Sequence, residues 1–164
     1  MNLKLCAAML LSGGLLIGNV QAQSVDVTLT LPAISSGQYK RPYVAVWIER
    51  KGERRALTTL AVWHEDKKWL KDIRRWWRKA GRYNSDVDGV TGATRAPGTY
   101  QLSWNGKDAA GITLSGDVLL CLESVREHGD RTLLKQVIRL GDGAQHYTLA
   151  AGEELGPISI QVGE

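Results

Sequence analysis

Val25-Asp26-Val27-Thr28-Leu29-Thr30-Leu31 decides the architecture. Apolar side chains fall on every second residue, and successive side chains of a strand point to opposite faces. The stretch therefore reads as a strand with one face in a core and one in water. Pro32 ends it, having no N–H for the ladder. Further along, Tyr43-Val44-Ala45-Val46-Trp47-Ile48-Glu49 is β-branched and aromatic, and residues 56–63 follow the turn signal Lys51-Gly52, so the two predict a hairpin. More strands are expected over residues 99–104, 117–126, 132–140 and 159–162, with glycine-containing turns between most of them. Between the two groups, Asp66 can cap a helix over residues 67–81. Its apolar positions are Trp69, Leu70, Ile73, Trp76, Trp77 and Ala80, and Gly81 can stop it. Many short strands and one helix predict a mainly β fold, a β-sandwich with one inserted amphipathic helix.

Toward the N-terminus, Lys4 precedes an apolar run over residues 5–17, and Val20-Gln21-Ala22 offers small residues in an A-x-A-like position. This pattern predicts a cleaved export signal at residues 1–22. A run of about a dozen residues is too short to span roughly 30 Å of hydrocarbon at 1.5 Å per residue. Cleavage leaves a single domain at residues 23–164 and, by removing Lys4, takes the formal net charge from +4 to +3. Cys6 lies inside the signal with no lipobox before it. Cys121 then stands alone within Val118-Leu119-Leu120-Cys121-Leu122, where a buried, inert thiol is expected. No later segment is apolar enough for a membrane span, and no repeat is visible. A soluble periplasmic protein is expected, which excludes nucleic acid as a partner.

Trp104-Asn105-Gly106-Lys107-Asp108, then Gly111, then Gly116-Asp117-Val118, resembles the immunoglobulin-like module of the flagellar hook-capping protein over about 25 residues. The resemblance implies that the sandwich is immunoglobulin-like. It bears on fold alone, because a shared fold does not fix function.

Residues 88–94 read Asp88-Gly89-Val90-Thr91-Gly92-Ala93-Thr94. The stretch resembles, without departure, the pattern recognised by periplasmic flavin transferases: Asp, two variable residues, Ser or Thr, Gly, Ala, Ser or Thr. Five constrained positions arise by chance on the order of once in a thousand chains of this size, so the match carries weight. The resemblance implies that a transferase splits FAD and joins FMN through a phosphoester to Thr94, with Asp88, Thr91, Gly92 and Ala93 as the recognition loop. A threonine hydroxyl is a weak nucleophile, so base and Mg²⁺ are expected from the transferase and an accessible loop from this chain. The alternative is a well-formed loop whose threonine hydroxyls bond their own backbone before Pro97-Gly98.

The mature chain as a whole resembles a family of periplasmic proteins of unknown function. The resemblance rests on residues 42–49, Lys68-Trp69-Leu70, Arg74-Arg75-Trp76-Trp77, the stretch from Asp88 through Gly98, and Arg126-Glu127-His128-Gly129. That family is associated with flavin transferases and with PepSY-type membrane proteins thought to move electrons across the inner membrane.

The segment over residues 67–82 carries Lys67, Lys68, Lys71, Arg74, Arg75, Arg78, Lys79 and Arg82 against Asp72 alone. Three readings stay open. Arg74, Arg75 and Arg78 can meet a flavin phosphate or an acidic redox partner. The face can instead rest peripherally on anionic lipid, with Trp76 and Trp77 at the interface. Or it is a solvated face opposite a tryptophan stripe that packs on the sheet. Glu127-His128-Gly129-Asp130-Arg131 sets Glu127, His128 and Arg131 in a turn that can contact a flavin or partner, or can be an ion-paired surface loop. His64, His128 and His146 are scattered, with no metal or haem spacing. No nucleophile with an arranged base is visible, so no catalytic residue is assigned.

The expected function is periplasmic electron transfer through covalent FMN on Thr94, with a flavin transferase and a PepSY-type membrane protein as partners. The alternative is a non-catalytic immunoglobulin-like binding module that docks an envelope partner through the basic helix.

Overall fold

The computed structural model describes residues 23–35, 38–83 and 87–163. The expected signal at residues 1–22, Ser36-Gly37 in the polar connection expected after Pro32, and residues 84–86 of the loop expected over 84–98 lie outside the described residues. Two sheets form. One has the order β5 (Gly98–Trp104), β1 (Val25–Leu31), β9 (Ile158–Val162) and β8 (Gln145–Leu149). The other has the order β4 (Thr91–Gly92), β3 (Thr58–Trp63), β2 (Tyr43–Glu49), β6 (Gly116–Val125) and β7 (Arg131–Leu140). All neighbours are antiparallel except β3 and β4.

The alternation of β1 is realised in full. Val25, Val27, Leu29 and Leu31 are buried, and Leu29 stands between Tyr100 of β5 and Ile158 of β9. Val44, Val46 and Ile48 of β2 join Val118, Leu120 and Leu122 of β6 in the same core, so the two sheets face one another across it. Each such side chain contributes roughly 1.5–3 kcal/mol on burial.

β2 and β6 are apolar on their other face too. Ala45, Trp47, Cys121 and Val62 of β3 point away from the shared core and need a second cover, which the helical segment supplies through Leu70, Ile73, Trp76 and Ala80. The expected single helix is broken. Asp66 caps as read, accepting from the Lys68 N–H at 2.9 Å, but Lys67–Asp72 is a 3₁₀ turn. Ile73 then leaves helical space at ψ 73° before α1 (Arg74–Lys79), and a further 3₁₀ turn follows at Gly81–Tyr83.

The break has a partner in the sheet. Glu123 of β6, at 0% exposure, accepts from the backbone N–H groups of Arg75 at 2.9 Å and Trp76 at 3.0 Å, and from Arg131 Nε at 2.6 Å. A buried carboxylate thus satisfies donors that a helix start leaves unpaired. With the helix restarted at Arg74, Trp69 is not on the buried stripe as expected but is 42% exposed.

Other boundaries shift by a residue or two. β3 begins at Thr58, and its pairing with β2 carries an irregularity between Val46 and Trp47. β8 has no counterpart in the sequence reading. Within the loop expected over 84–98, the described residues 87–98 hold a 3₁₀ turn at Asp88–Val90 and the two-residue β4. The Trp104 turn closes tightly: Trp104 Nε1 donates to the Lys107 carbonyl at 2.7 Å, and Gly106 has φ +69°. A Cβ at Gly106 would sit 2.7 Å from the Gln23 carbonyl oxygen, so only glycine fits there.

Candidate functional site

The Asp88–Thr94 stretch is positioned by β3. Val62 pairs with Thr91 and Trp63 with Gly92, and the His64 N–H donates to the Gly92 carbonyl at 2.9 Å. Gly92 passes over the Trp63 indole, 3.6 Å from where a Cβ would lie. Thr91 Oγ1 donates to the Val87 carbonyl at 2.7 Å, the local bond expected of a well-formed loop. Thr94 behaves differently. Its Oγ1 donates to Glu65 Oε1 at 3.0 Å, and the residue is only 4% exposed. The loop reaches the surface on either side of it, but the hydroxyl is turned against Glu65, whose own side chain is solvent-exposed. Next to it, the Arg95 guanidinium lies 4.2 Å from the Trp63 ring centre and 4.9 Å from that of Tyr100, and the two rings meet edge-on at 5.3 Å. Cation–π contact and ring packing hold this end of the loop down.

Between the β3–β4 pair and α1 lies a cleft of about 350 Å³. Asp88 and Thr91 form one wall, Trp76 and Trp77 the other, and His64 and Lys67 complete it. The two indoles are tilted at 54° with centres 6.5 Å apart. His64 Nδ1 is buried and has no hydrogen-bond partner among the described residues. Burial, aided by the nearby Lys67 charge, lowers the His64 pKa, so the ring is neutral at pH 7.

A second cleft, of about 510 Å³, gathers Arg74, Glu127, His128 and Arg131 with Trp69 and Tyr43. Arg75 and Arg78 do not line it. Arg75 turns into the sheet, where Glu49 takes it at 2.9 and 2.6 Å, while Arg78 is exposed. Arg131 is committed to Glu123. Arg74 is exposed and has no hydrogen-bond or ion-pair partner among the described residues. His128 takes φ +57° at the tip of its turn. The base of that turn is fixed by buried Glu154, which accepts from Arg126 Nε at 3.0 Å and from the Asp130 N–H at 2.9 Å.

Sequence reasoning did not single out Glu65 or Arg95, and it noted His64 only as a scattered histidine. Glu65 and Thr94 are 29 residues apart. Only the β3–β4 pairing makes them neighbours, and a two-residue parallel strand leaves no periodic signal.

The fold and its clefts define a small, mainly β protein, with two sheets and a single short α-helix among the described residues, carrying a threonine loop pinned to a sheet edge. The chain belongs to the family described as "Predicted periplasmic protein (DUF2271)", whose model matches residues 24–157. No curated protein matches the chain, and no solved structure does. The protein is periplasmic, and no helix among the described residues is long and apolar enough to cross a membrane.

Proposed function

We propose that this protein is a periplasmic electron carrier whose FMN is joined covalently to Thr94 by a flavin transferase. The observation that carries the reading is the unbroken pattern Asp88-Gly89-Val90-Thr91-Gly92-Ala93-Thr94 in a chain of a periplasmic family. Such a cofactor would supply the electron chemistry, and the protein would supply attachment, orientation and shielding. The residues present fit the group in kind. Thr94 offers the hydroxyl, and beside the pattern stands a cleft with two indole walls and an orphaned imidazole nitrogen. Attachment requires Thr94 Oγ1 to leave Glu65 first, because the hydroxyl of a residue at 4% exposure cannot enter another protein's active site as it stands. A PepSY-type membrane protein is the proposed electron donor. We also read the two-sheet arrangement as immunoglobulin-like.

Intact-mass spectrometry on protein produced with an active flavin transferase tests the reading. The wild type should gain the mass of one FMN, and Thr94→Ala should not. An unmodified wild type beside a control acceptor that is fully loaded overturns it.

A second reading is favoured by the exposed Trp69 beside the unpaired Arg74 at the second cleft. There the protein docks an envelope partner, with no flavin involved. That reading predicts partner binding that weakens with salt, since the Debye length is already only about 10 Å at 0.1 M.

A further inference from the structure

We propose that the cleft between the β3–β4 pair and α1 is a binding site for a planar heteroaromatic ring, and that the ring it receives is the isoalloxazine of an FMN carried on Thr94. The second half rests on the flavin reading above; the first half does not.

The argument begins with His64. A buried polar atom without a partner costs free energy, and native proteins keep few of them. His64 Nδ1 is such an atom; it is itself buried, but its residue lines an open cleft, so a turn of the imidazole is what would present the nitrogen to a ligand there. A neutral imidazole can donate or accept at Nδ1 according to its tautomer, so it suits a ring edge that presents either kind of group. Lys67 and Asp88 at the rim likewise have no hydrogen-bond or ion-pair partner among the described residues, and they add one donor and one acceptor group.

The walls select the shape. Trp76 is buried and its Nε1 is already satisfied by Thr59 at 3.1 Å, so that ring backs the cleft as a fixed support and leaves stacking to its neighbour. Trp77 is only half-buried, leaving part of its indole free to stack. Gly81 lets both indoles close in: a Cβ there would meet Trp76 and Trp77 ring carbons at 2.6 Å. A cleft of about 350 Å³ with aromatic walls and a few convergent polar groups is the form that small-ligand sites take.

The tether reaches. Thr91 lines the cleft, and Thr94 lies three residues further along, roughly 10 Å of extended chain. A ribityl phosphate arm has comparable reach.

The test uses Thr94→Ala protein, which cannot be loaded, titrated with free riboflavin while flavin fluorescence is followed. Saturable quenching is expected from stacking on the Trp77 indole. His64→Ala should weaken it about tenfold and Trp77→Leu about fivefold. Thermal melts should show both variants folded; His64→Ala removes an unpaired polar group and keeps the test usable if Trp77→Leu does not fold. Wild type bearing FMN supplies a second readout, because its fluorescence should rise in His64→Ala. No saturable quenching, together with loaded flavin as bright as free FMN, overturns the cleft assignment even if the adduct forms. Saturable, His64-dependent quenching in a protein that never acquires FMN sustains the cleft and removes the Thr94 reading.

Discussion

Glu65 and Thr94 meet because β4 lies parallel to β3 and each lies two residues beyond the last pair, Trp63 with Gly92, and the contact makes the threonine loop more guarded than its composition suggests. Glu65 is exposed and Thr94 is not, so the carboxylate acts as a latch over the hydroxyl. If FMN attachment requires that latch to open, Glu65→Ala should raise the initial rate of attachment roughly three- to tenfold, the weight of a hydrogen bond of about 1 kcal/mol. A time course of intact mass checks this, and a slower rate would mean that Glu65 instead takes the Thr94 proton. Cys121 makes the opposite case, of a reactive group silenced. Burial, followed by the Glu49 carboxylate nearby, pushes its thiol pKa up to about 12. Since the thiolate is the reactive form, a thiol reagent at pH 8 should label Cys121 only after unfolding.

At the scale of elements, the helical segment is held by charge as much as by its apolar face. Six residues of α1 cannot stand alone as a helix, because nucleation is costly and isolated short helices are marginal in water. Two sheet carboxylates fasten it. Glu123 takes the backbone at the helix start, and Glu49 takes the Arg75 guanidinium in a two-point bond. Glu123→Ala strips three donors of their acceptor and leaves Arg131 without its buried partner. It should cost about 3–5 kcal/mol, read as a lower urea midpoint. Trp69 on the same segment contrasts with it. Despite its size it should tolerate Trp69→Ser within about 1 kcal/mol, because much of the indole already lies in water.

For the whole molecule, the sheet of β2 and β6 serves two cores at once, the one shared with β1 and β9 and the one under the helix. Buried Glu49 ties stability to pH. Burial alone would raise the Glu49 pKa, but hydrogen bonds from Arg75 and Trp47 and the Arg75 charge outweigh it and hold the group below the usual carboxylate range. Glu49 therefore stays ionised in the folded state at a pH where the unfolded chain has taken up the proton. The stability it contributes is complete above the unfolded value of about 4.3 and is lost as pH falls through the lower folded value. His64 acts in the same direction nearer neutrality. Its lowered pKa means that the unfolded chain binds the proton first, so stability begins to fall below about pH 6.5. Melting temperature should decline from pH 7 to 3, and Glu49→Gln should start lower at pH 7 with a shallower acid limb.

Period-two alternation in β1, the turn at Lys51-Gly52 and the spacing of apolar runs were legible because strand pattern is local. A residue's face is set by its neighbours in the chain, and so the strands of both sheets, β8 and the brief β4 apart, stood out within a residue or two. β8 alternates as well, yet Gln145, Tyr147 and Leu149 are only half-buried, and half-burial leaves a weak signal. The threonine pattern and the basic character of residues 67–82 were equally plain, being matters of composition and order. What the chain alone left open was everything that depends on partners distant in sequence. The break at Ile73 follows a carboxylate 48 residues away from Arg75, the burial of Thr94 follows Glu65, and the sorting of the arginines follows Glu49 and Glu123. Buried acids choose their cations by geometry across the sheet, and residue order carries no record of that geometry until the strands pair.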